Sequence, residues 1–211
     1  YRHGELHHAL TRGNGERGND VTENVRTIGQ VPLRIGTEGE LAVRGEVFLN
    51  RDDFARLNLG QDAPYANPRN LAAGTLRSVR SSGVAKVPLR FIAYEAHFTG
   101  TAIATQTESL VSLAVLGFPL PGTLAFSSDQ PAAREVFTSA FPGHEAADLA
   151  KLPDYLRLRA EKRADLPYDI DGLVVKLDSI PARLALGATA HHPRWAMAFK
   201  FDAPQAETVL R

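Results

Sequence analysis

The chain has 211 residues, enough for one large domain or two small ones around a substantial hydrophobic core. Its 24 basic and 24 acidic residues balance, which argues against a strong, sequence-independent grip on nucleic acid through net charge. Cysteine is absent, so disulfides and thiolate zinc sites are excluded and a reducing compartment is permitted.

The first third of the chain predicts short elements around a glycine-rich loop. Residues 6–11 have the pattern of a strand that leads into the loop 13–19. The three glycines of this loop permit positive φ and a close approach of the backbone to a ligand. Asp20 or Thr22 can cap a short helix that runs to Ile28.

The next elements alternate strand and helix. Residues 41–49 alternate as a half-buried strand, and Asn50 can cap a helix over residues 51–59. Residues 87–96 form a strand pattern with little alternation, which predicts a central position in a sheet. Three further helices are predicted over residues 108–116, 130–141 and 154–162.

Asn67 and Pro68 mark a turn before a short helix that carries Arg69 and Arg77. These arginines are eight residues apart, about 80° around an ideal helix, and Gly74 between them is a point where the helix could break. They can contact phosphates, or they can form salt bridges that hold the helix in place. The window without Asp or Glu around them contains Arg69, Arg77, Arg80, Lys86 and Arg90.

Two apolar strand patterns, residues 168–176 and 195–201, each deliver one lysine near the end. Because alternate residues of a strand face opposite ways, the large side chains from Trp195 onward predict a core face. The opposite face carries two alanines beside Lys200, which leaves room for a ligand. An ammonium group on a buried strand needs an anion, so Lys176 and Lys200 predict a phosphate pocket, unless they are solvated residues at the edge of a strand.

Five ordered motifs resemble those of the NAD-dependent DNA ligases. They are Thr11-Arg12-Gly13-Asn14-Gly15, Val43-Arg44-Gly45-Glu46-Val47-Phe48, the segment from Ala66 to Arg77, Tyr168 to Lys176, and Trp195 to Phe201. The third is the most discriminating, because ATP-dependent ligases and RNA capping enzymes do not usually carry it. The resemblance implies an α+β (mixed α/β) nucleotidyltransferase fold, with largely antiparallel sheets flanking a nucleotide cleft.

One departure from the family concerns the nucleophile, a lysine in a K-x-D-G motif. None of the five lysines, Lys86, Lys151, Lys162, Lys176 and Lys200, precedes x-Asp-Gly. We therefore expect residues 1–203 to be an adenylation domain that is incomplete at its N-terminus. Residues 204–211 would begin the connection to an OB-fold outside the chain, and this fragment alone would be inactive.

The resemblance implies a role for each candidate site residue. Lys176 and Lys200 would hold phosphate, and Asp171 would orient a lysine or a metal-bound water. Glu46 would hold the adenosine ribose, unless it forms a surface ion pair with Arg44 or another cation. Arg12 would contact ribose or phosphate. The DNA contacts would come from Arg69 and Arg77.

The implied ligand is NAD, or the AMP derived from it, and the implied partner is nicked double-stranded DNA. Mg or Mn would act transiently, no residue is assigned as a metal ligand, and the family's zinc site lies outside this chain. We read His7, His8, His191 and His192 as core or surface residues, because adjacent strand residues point in opposite directions. No membrane span or signal peptide is apparent, so a cytoplasmic monomer is expected.

Two other readings remain open. A non-catalytic adenine-nucleotide-binding module would explain directly why the nucleophile motif does not occur. An ATP-dependent ligase or capping enzyme is disfavoured by the segment from Asn67 to Arg77. A K-x-D-G motif upstream in the parent reading frame would support the ligase, whereas a reading frame that starts at Tyr1 would support the binding module.

Overall fold

The computed structural model describes residues 1–189 and 192–202. The chain divides into two compact units, Tyr1–Leu124 and Ala125–Arg211. Across the described residues the fold is mixed α/β and contains three two-stranded sheets, two antiparallel and one parallel. No helix in those ranges is both long and apolar enough to cross a bilayer. The tail predicted to lead towards an OB-fold, residues 204–211, lies outside the described residues.

The first unit contains five helices and one antiparallel strand pair. Its elements are α1 (Thr22–Val25), β1 (Leu41–Phe48), α2 (Arg51–Asn58), α3 (Pro68–Leu76), α4 (Ser81–Val84), β2 (Arg90–Phe98) and α5 (Gln106–Val115). Strand β1 pairs with β2. More exposed and less exposed residues alternate along β1, as the sequence predicts for a half-buried strand. The sheet is therefore open on one face and packed on the other.

A β-bulge interrupts the β1–β2 ladder. Gly45 is paired with Ala93 and Arg44 with Glu95, so Tyr94 has no partner across the strands. The bulge explains why residues 90–98 show little alternation, because Ala93 and Ala96 both face the core although they are three positions apart. The prediction of a central strand is wrong, since among the described residues β2 pairs in a sheet only with β1.

The core of the first unit lies behind this sheet and beneath the short helices. Helix α5 packs against β2, and Ala96 N–H donates to Ser109 Oγ at 3.1 Å. The fully or nearly buried cluster comprises Leu6, Val21, Val25, Ile28, Val31, Leu49, Ala72, Val84 and Leu89. Burial of this apolar surface is the main source of stability for the unit.

Two helices of the first unit begin at side-chain caps. Asn67 Oδ1 accepts the backbone N–H groups of Arg69 and Asn70 at 2.8 and 3.2 Å, and Pro68 occupies the first turn of α3. Thr105 and Glu108 form a capping box at the start of α5. These caps fix where α3 and α5 begin, as the sequence predicts for the Asn67-Pro68 turn.

Three local predictions in this unit need correction. Residues 6–11 form no regular strand and make only an isolated bridge between Leu10 and Asp20. Helix α1 ends at Val25, not at Ile28, and Asp20 accepts the N–H of its first residue although Val21 is the N-cap. Asn50 stands at the N-cap of α2 but makes no capping hydrogen bond with its side chain.

Helix α3 runs through Gly74 to Leu76, so the possible break at this glycine does not occur. Tertiary contacts offset the propensity cost, which is about 1 kcal/mol for a glycine in a helix interior. Ala72 on the same helix is 1% exposed and belongs to the core cluster. Packing of one face therefore holds α3 together across the weak position.

The second unit begins with a small β–α–β arrangement and ends with an antiparallel ribbon. Its elements are β3 (Ala125–Ser127), α6 (Pro131–Ala140), β4 (Glu145–Ala147), α7 (Leu152–Glu161), β5 (Gly172–Lys176), α8 (Ile180–Leu186) and β6 (Ala196–Lys200). Strands β3 and β4 are parallel, and α6 connects them. The fully buried apolar residues of this unit are few among those described: Phe137, Phe141, Tyr155 and Leu156.

The predicted core face of β6 is only partly formed. Met197 on this face is 59% exposed, and Val174, on the opposite face of the ribbon, is 63% exposed. Trp195 is half-buried and packs beneath the guanidinium of Arg183, which lies 4.5 Å from the ring centroid. The premise that Lys176 and Lys200 lie on deeply buried strands is therefore wrong, and the reasoning about their roles must start from a partly exposed ribbon.

Candidate functional site

The loop that contains Arg12 closes upon itself. Thr11 N–H donates to Asn19 O at 3.0 Å, and Asn19 N–H donates to Thr11 Oγ1 at 2.9 Å. A Cβ on Gly13 would lie 1.7 Å from Arg17 O, and one on Gly18 would lie 1.9 Å from Thr11 O. Two of the three loop glycines are thus required by the approach of the loop to its own backbone, and Arg12 is exposed at its base.

Glu46 lies on the open face of β1. Ala42, Arg44 and Glu46 are all exposed, as alternation from a strand predicts. Gly45 between them is enforced by packing, because a Cβ there would lie 2.1 Å from the Phe91 ring and 2.3 Å from Ile92 O. The sheet is therefore tightly closed on the core side directly behind the exposed carboxylate.

The predicted alternative for Glu46, an ion pair with Arg44, does not form. Arg44 Nη1 instead lies 3.3 Å from Glu95 Oε1, which also lies 2.7 Å from His97 Nε2. The side chains of Glu46 and Arg12 make no hydrogen bond or ion pair within the described part of the chain. A carboxylate and a guanidinium are thus left available on the first unit.

Tyr94 is a neighbour of both groups that the sequence did not single out. Burial raises the pKa of its phenol, the carboxylates of Glu46 and Glu95 raise it further, and Arg12 acts in the opposite direction. The ring is 36% exposed although it belongs to a strand. The bulge creates this position, and a bulge of this kind has no sequence signature that could have revealed it.

Arg12, Glu46 and Tyr94 form what we call the open-face group of the first unit. Glu46 and Tyr94 are exposed residues of the paired strands β1 and β2, and the charges of Glu46 and Arg12 both affect the pKa of the Tyr94 phenol. An ionised carboxylate accepts hydroxyl hydrogen bonds, a guanidinium donates to oxygen atoms, and an aromatic ring offers a flat apolar surface. This combination suits a ligand with a sugar, an anionic group and a planar ring.

Arg69 and Arg77 lie at opposite ends of α3, and both are exposed. Arg77 is the C-cap residue, and its Nε donates to Ala73 O at 3.1 Å. No described carboxylate pairs with Arg77, so the alternative of a salt bridge is wrong for this arginine. Helix α3 itself contains no acidic residue, which leaves a cationic surface around its C-terminal end.

In the second unit, Lys176 and Lys200 lie on the same face of the β5–β6 ribbon. The register pairs Lys176 with Ala196 and Lys200 with Gly172. Since the strands are antiparallel, the two lysines stand at opposite ends, roughly 14 Å apart at about 3.4 Å per residue. Between them the face carries the short side chains Ala196 and Ala198 together with Val174. The predicted floor of small residues is therefore present, bracketed by the lysines.

Asp171 contacts one of these lysines directly. Lys200 Nζ donates to Asp171 Oδ2 at 2.8 Å, with both side chains about two-thirds exposed. Phe201 N–H donates to Asp171 O at 2.9 Å, and a Cβ on Gly172 would lie 2.4 Å from Phe199 O. The close approach of the two backbones, which only glycine permits, places the carboxylate beside the lysine.

The histidines behave partly as predicted. The rings of His7 and His8 stack at 4.2 Å, so the argument that adjacent residues point apart is wrong for a segment that forms no regular strand. His8 Nδ1 lies 3.6 Å from Asp20 Oδ2. The described ranges hold no group of three or more His, Cys, Asp or Glu side chains arranged to bind a metal ion. His191 lies outside the described residues.

Comparisons with known proteins agree with the motifs. A family model for the NAD-dependent DNA ligase adenylation domain matches residues 1–204. A DNA ligase from Borreliella afzelii (strain PKo) is 40% identical over 203 residues, which cover 96% of this chain and 28% of that protein. DNA ligases from Halothermothrix orenii and Chlorobium phaeobacteroides are both 37% identical, and the matches cover all of this chain and 29% and 30% of those proteins.

The mixed α/β fold and the ordered motifs therefore agree with the adenylation domain of a ligase. The chain belongs to the family of NAD-dependent DNA ligase adenylation domains. It spans less than a third of the length of the curated relatives it matches. The family match confirms the resemblance that the five sequence motifs indicated.

Proposed function

We propose that this chain binds the adenylate portion of NAD within a complete DNA ligase. The observation that carries the proposal is the open-face group, in which the Glu46 carboxylate and the Arg12 guanidinium have no described partner. Glu46 accepts hydrogen bonds from the ribose hydroxyls. Arg12 donates to ribose or phosphate oxygen, and the Tyr94 ring provides an apolar surface beside them.

The reaction follows from the family. The nucleophile is a lysine of the complete protein that is not among the five in this chain. Its amine attacks the α-phosphate of NAD, and nicotinamide mononucleotide leaves. The AMP then passes to the 5′-phosphate at a DNA nick, and the adjacent 3′-hydroxyl displaces AMP to form the phosphodiester. Each step is a displacement at phosphorus, so positioned cations stabilise the charge that develops on the nonbridging oxygens.

Lys176 and Lys200 are the cations that we assign to the phosphates. They share a face with Val174, Ala196 and Ala198, whose modest size leaves space above the ribbon. The Lys200 ammonium donates to Asp171 Oδ2 at 2.8 Å. Because this pair is well exposed, a phosphate can replace the carboxylate at little energetic cost.

We assign the nicked duplex to the exposed arginines of α3. Arg69 and Arg77 flank a helix without acidic residues, and Arg80 and Lys86 follow in a stretch without Asp or Glu. Phosphate contacts of this kind fix the register of a protein on DNA without reading its sequence. A balanced overall charge is compatible with this role, because the positive charge is local.

The residues present fit the nucleotide but not a metal held by the protein. The open-face group offers donors, acceptors and an aromatic ring, as a nucleoside phosphate requires. The family implies Mg or Mn, but the described residues hold no group of three metal-binding side chains. We therefore assign no residue and no step to a metal ion. A cytoplasmic setting and a monomeric state remain predictions.

The test uses the complete protein and measures the rate of its adenylation by NAD. Loss of a hydrogen bond to a charged group typically costs about 1.5–3 kcal/mol, so Glu46→Gln should raise the half-saturating NAD concentration roughly tenfold or more. Glu40→Gln is the matched control, since Glu40 is exposed, lies just before β1 and pairs with Arg2. Equal effects of both changes would remove Glu46 from the nucleotide site.

The alternative function, a non-catalytic nucleotide-binding module, gives a different result in the same assay. None of the five lysines of the chain lies in a K-x-D-G motif. The 211-residue fragment should therefore gain no AMP on incubation with NAD. Intact mass measures this directly, and an adduct on Lys176 or Lys200 would overturn the assignment. If the complete protein also binds AMP in a Glu46-dependent manner without forming an adduct, the binding module is the correct function.

A further inference from the structure

A buried asparagine binds the backbone carbonyls of the residues before and after Arg77. Asn24 is 6% exposed and lies on α1. Its Nδ2 donates to Leu76 O at 2.7 Å and to Ser78 O at 2.8 Å, across more than 50 residues of sequence. One side chain thus binds the last carbonyl of α3 and the second carbonyl beyond it.

The direction of the Asn24 amide is fixed by its partners. Both partners are carbonyl oxygens, which only accept hydrogen bonds, so the NH₂ group must face them. Carbonyls at the C-terminal end of a helix have no partner within the helix and need one from elsewhere. Asn24 supplies two such donors at the end of α3.

The backbone of Arg77 is bonded from the other side as well. Arg77 N–H donates to Gly74 O at 3.2 Å, and Ser78 N–H donates to Thr75 O at 2.9 Å. The side chain of Arg77 also bends back, with Nε bound to Ala73 O. The Arg77 Cα position is therefore determined by α3 on one side and by Asn24 on the other.

We infer that Asn24 is a positioning residue for Arg77. The inference rests on the proposed role of Arg77 at the nicked DNA. Asn24 is buried, so it does not contact DNA itself; it holds the turn that follows α3 so that the arginine meets a phosphate. Beyond this turn Val79 is fully exposed, and the chain is next anchored in the core at Val84.

The consequence is a defect confined to the DNA-dependent steps. Displacement of a contact group by about 1 Å can cost up to a hundredfold in rate. We expect Asn24→Ala in the complete enzyme to slow transfer of AMP from preformed enzyme–adenylate to a nicked duplex by about tenfold or more. Self-adenylation by NAD should change less than twofold, because Asn24 has no contact with the open-face group.

Thr27→Val is the matched control. Thr27 Oγ1 donates to Asn24 O at 2.7 Å, so this change also removes a hydrogen bond at the same segment but leaves both bonds to the α3 turn in place. Rates are counted per molecule of preformed enzyme–adenylate, so misfolded protein does not contribute. If Asn24→Ala melts near the assay temperature, the measurement is repeated with Asn24→Ser, whose shorter polar side chain cannot make both hydrogen bonds to the turn.

A double variant separates positioning from general damage. If Asn24 acts through Arg77, then Asn24→Ala adds no further slowing of the nick-dependent step in an Arg77→Ala background. The inference would be overturned if Asn24→Ala slowed the nick-dependent step as much in the Arg77→Ala background as in the parent enzyme. It would also be overturned if Thr27→Val slowed this step as much as Asn24→Ala does. If Arg77→Ala alone leaves nick sealing unchanged, the proposed role of Arg77 is wrong, and that result is distinct from a failure of Asn24.

Discussion

The two units hold their candidate site residues in different ways. In the first unit, Glu46 lies on a sheet that is closed on its other face by a large buried cluster, and Arg12 lies at the base of a loop that closes upon itself. In the second unit, Lys176 and Lys200 lie on a two-stranded ribbon with much exposed surface. The first arrangement is rigid because packing supports it, whereas the second depends mainly on its own backbone ladder.

The ionic states differ in the same sense. Glu46 and Arg12 have no described partner, so a nucleotide can bind without first breaking a contact. Lys200 is already paired with Asp171, so a phosphate at the proposed site would have to replace that carboxylate. An exposed pair of this kind contributes roughly 0–1 kcal/mol, so the exchange is easy. The comparison teaches that the groups proposed to bind the sugar have no described partner to release, whereas the lysine proposed to bind phosphate must exchange one ion pair for another.

The largest expected effect comes from the lysines of the second unit. In the complete enzyme, Lys176→Met or Lys200→Met should slow single-turnover adenylation by NAD roughly a hundred- to a thousandfold, since a positioned donor contributes about 3–4 kcal/mol. Melting of Lys200→Met should be nearly unchanged because its ion pair is exposed. Lys162→Met is the control. A collapse in melting temperature with normal activity would make these lysines structural and break the comparison.

The second effect tests the rigid support in the first unit. Gly45→Ala places a Cβ against the Phe91 ring and Ile92 O, and overpacking of this kind costs about 1–3 kcal/mol in the free energy of unfolding. Gly74→Ala, where no atom lies within 4 Å, should instead raise stability by up to about 1 kcal/mol. Urea unfolding of both variants measures this. If Gly45→Ala is as stable as the parent, the sheet behind Glu46 is not rigid.

A third, smaller effect extends the comparison to the cationic surface of α3. Arg69→Ala and Arg77→Ala should each weaken binding of nicked duplex about tenfold, and each should lower the salt dependence by about one ion. Self-adenylation should be affected much less. Arg34→Ala, which removes an exposed charge paired with Glu5, controls for net charge. Equal losses in adenylation and sealing would move both arginines into the nucleotide site.

The smallest expected effect concerns acid stability near the glycine loop. Hydrogen bonds from the Thr22 hydroxyl and N–H, followed by the charge of His8, hold the pKa of Asp20 below its usual value of 3.8. The pKa of Asp20 is lower in the folded protein than in the unfolded chain. Its ionised carboxylate therefore stabilises the folded state above pH 3.8, and this stabilisation is lost as pH falls through the folded-state pKa. The melting difference between the parent and Asp20→Asn should therefore shrink below about pH 4. A difference that is constant from pH 7 to pH 3 would contradict this linkage.

The sequence predicts the regular parts of the fold well, because their signals are local. The pattern of β1, the turn that begins α3, and the three later helices appear within a few residues of the predicted bounds. Alternation along β1 also places Glu46 on the open face. These features depend on neighbouring residues alone, which a single sequence contains.

The failures have a common cause in long-range contacts. Residues 6–11 have the composition of a strand, but their backbone bonds to scattered loops and forms no ladder. The β6 pattern predicts a core, yet few elements cover Met197. Asn24 and Tyr94 carry no sequence signal, because one depends on a turn more than 50 residues away and the other on a bulge.

The bulge at Tyr94 has a consequence for how the strand can change. On either side of it, residues 90–93 and 95–98 follow opposite inside–outside phases relative to an unbroken strand, which is why Ala93 and Ala96 are both buried. Deletion of Tyr94 would leave Ala93 opposite Gly45 and Glu95 opposite Arg44 in an uninterrupted ladder, so the residues on both sides of it would keep their present faces. Position 94 is therefore an insertion that the strand can lose without a change of frame, and its loss would remove the Tyr94 ring while the two faces of the β1–β2 sheet stay as they are.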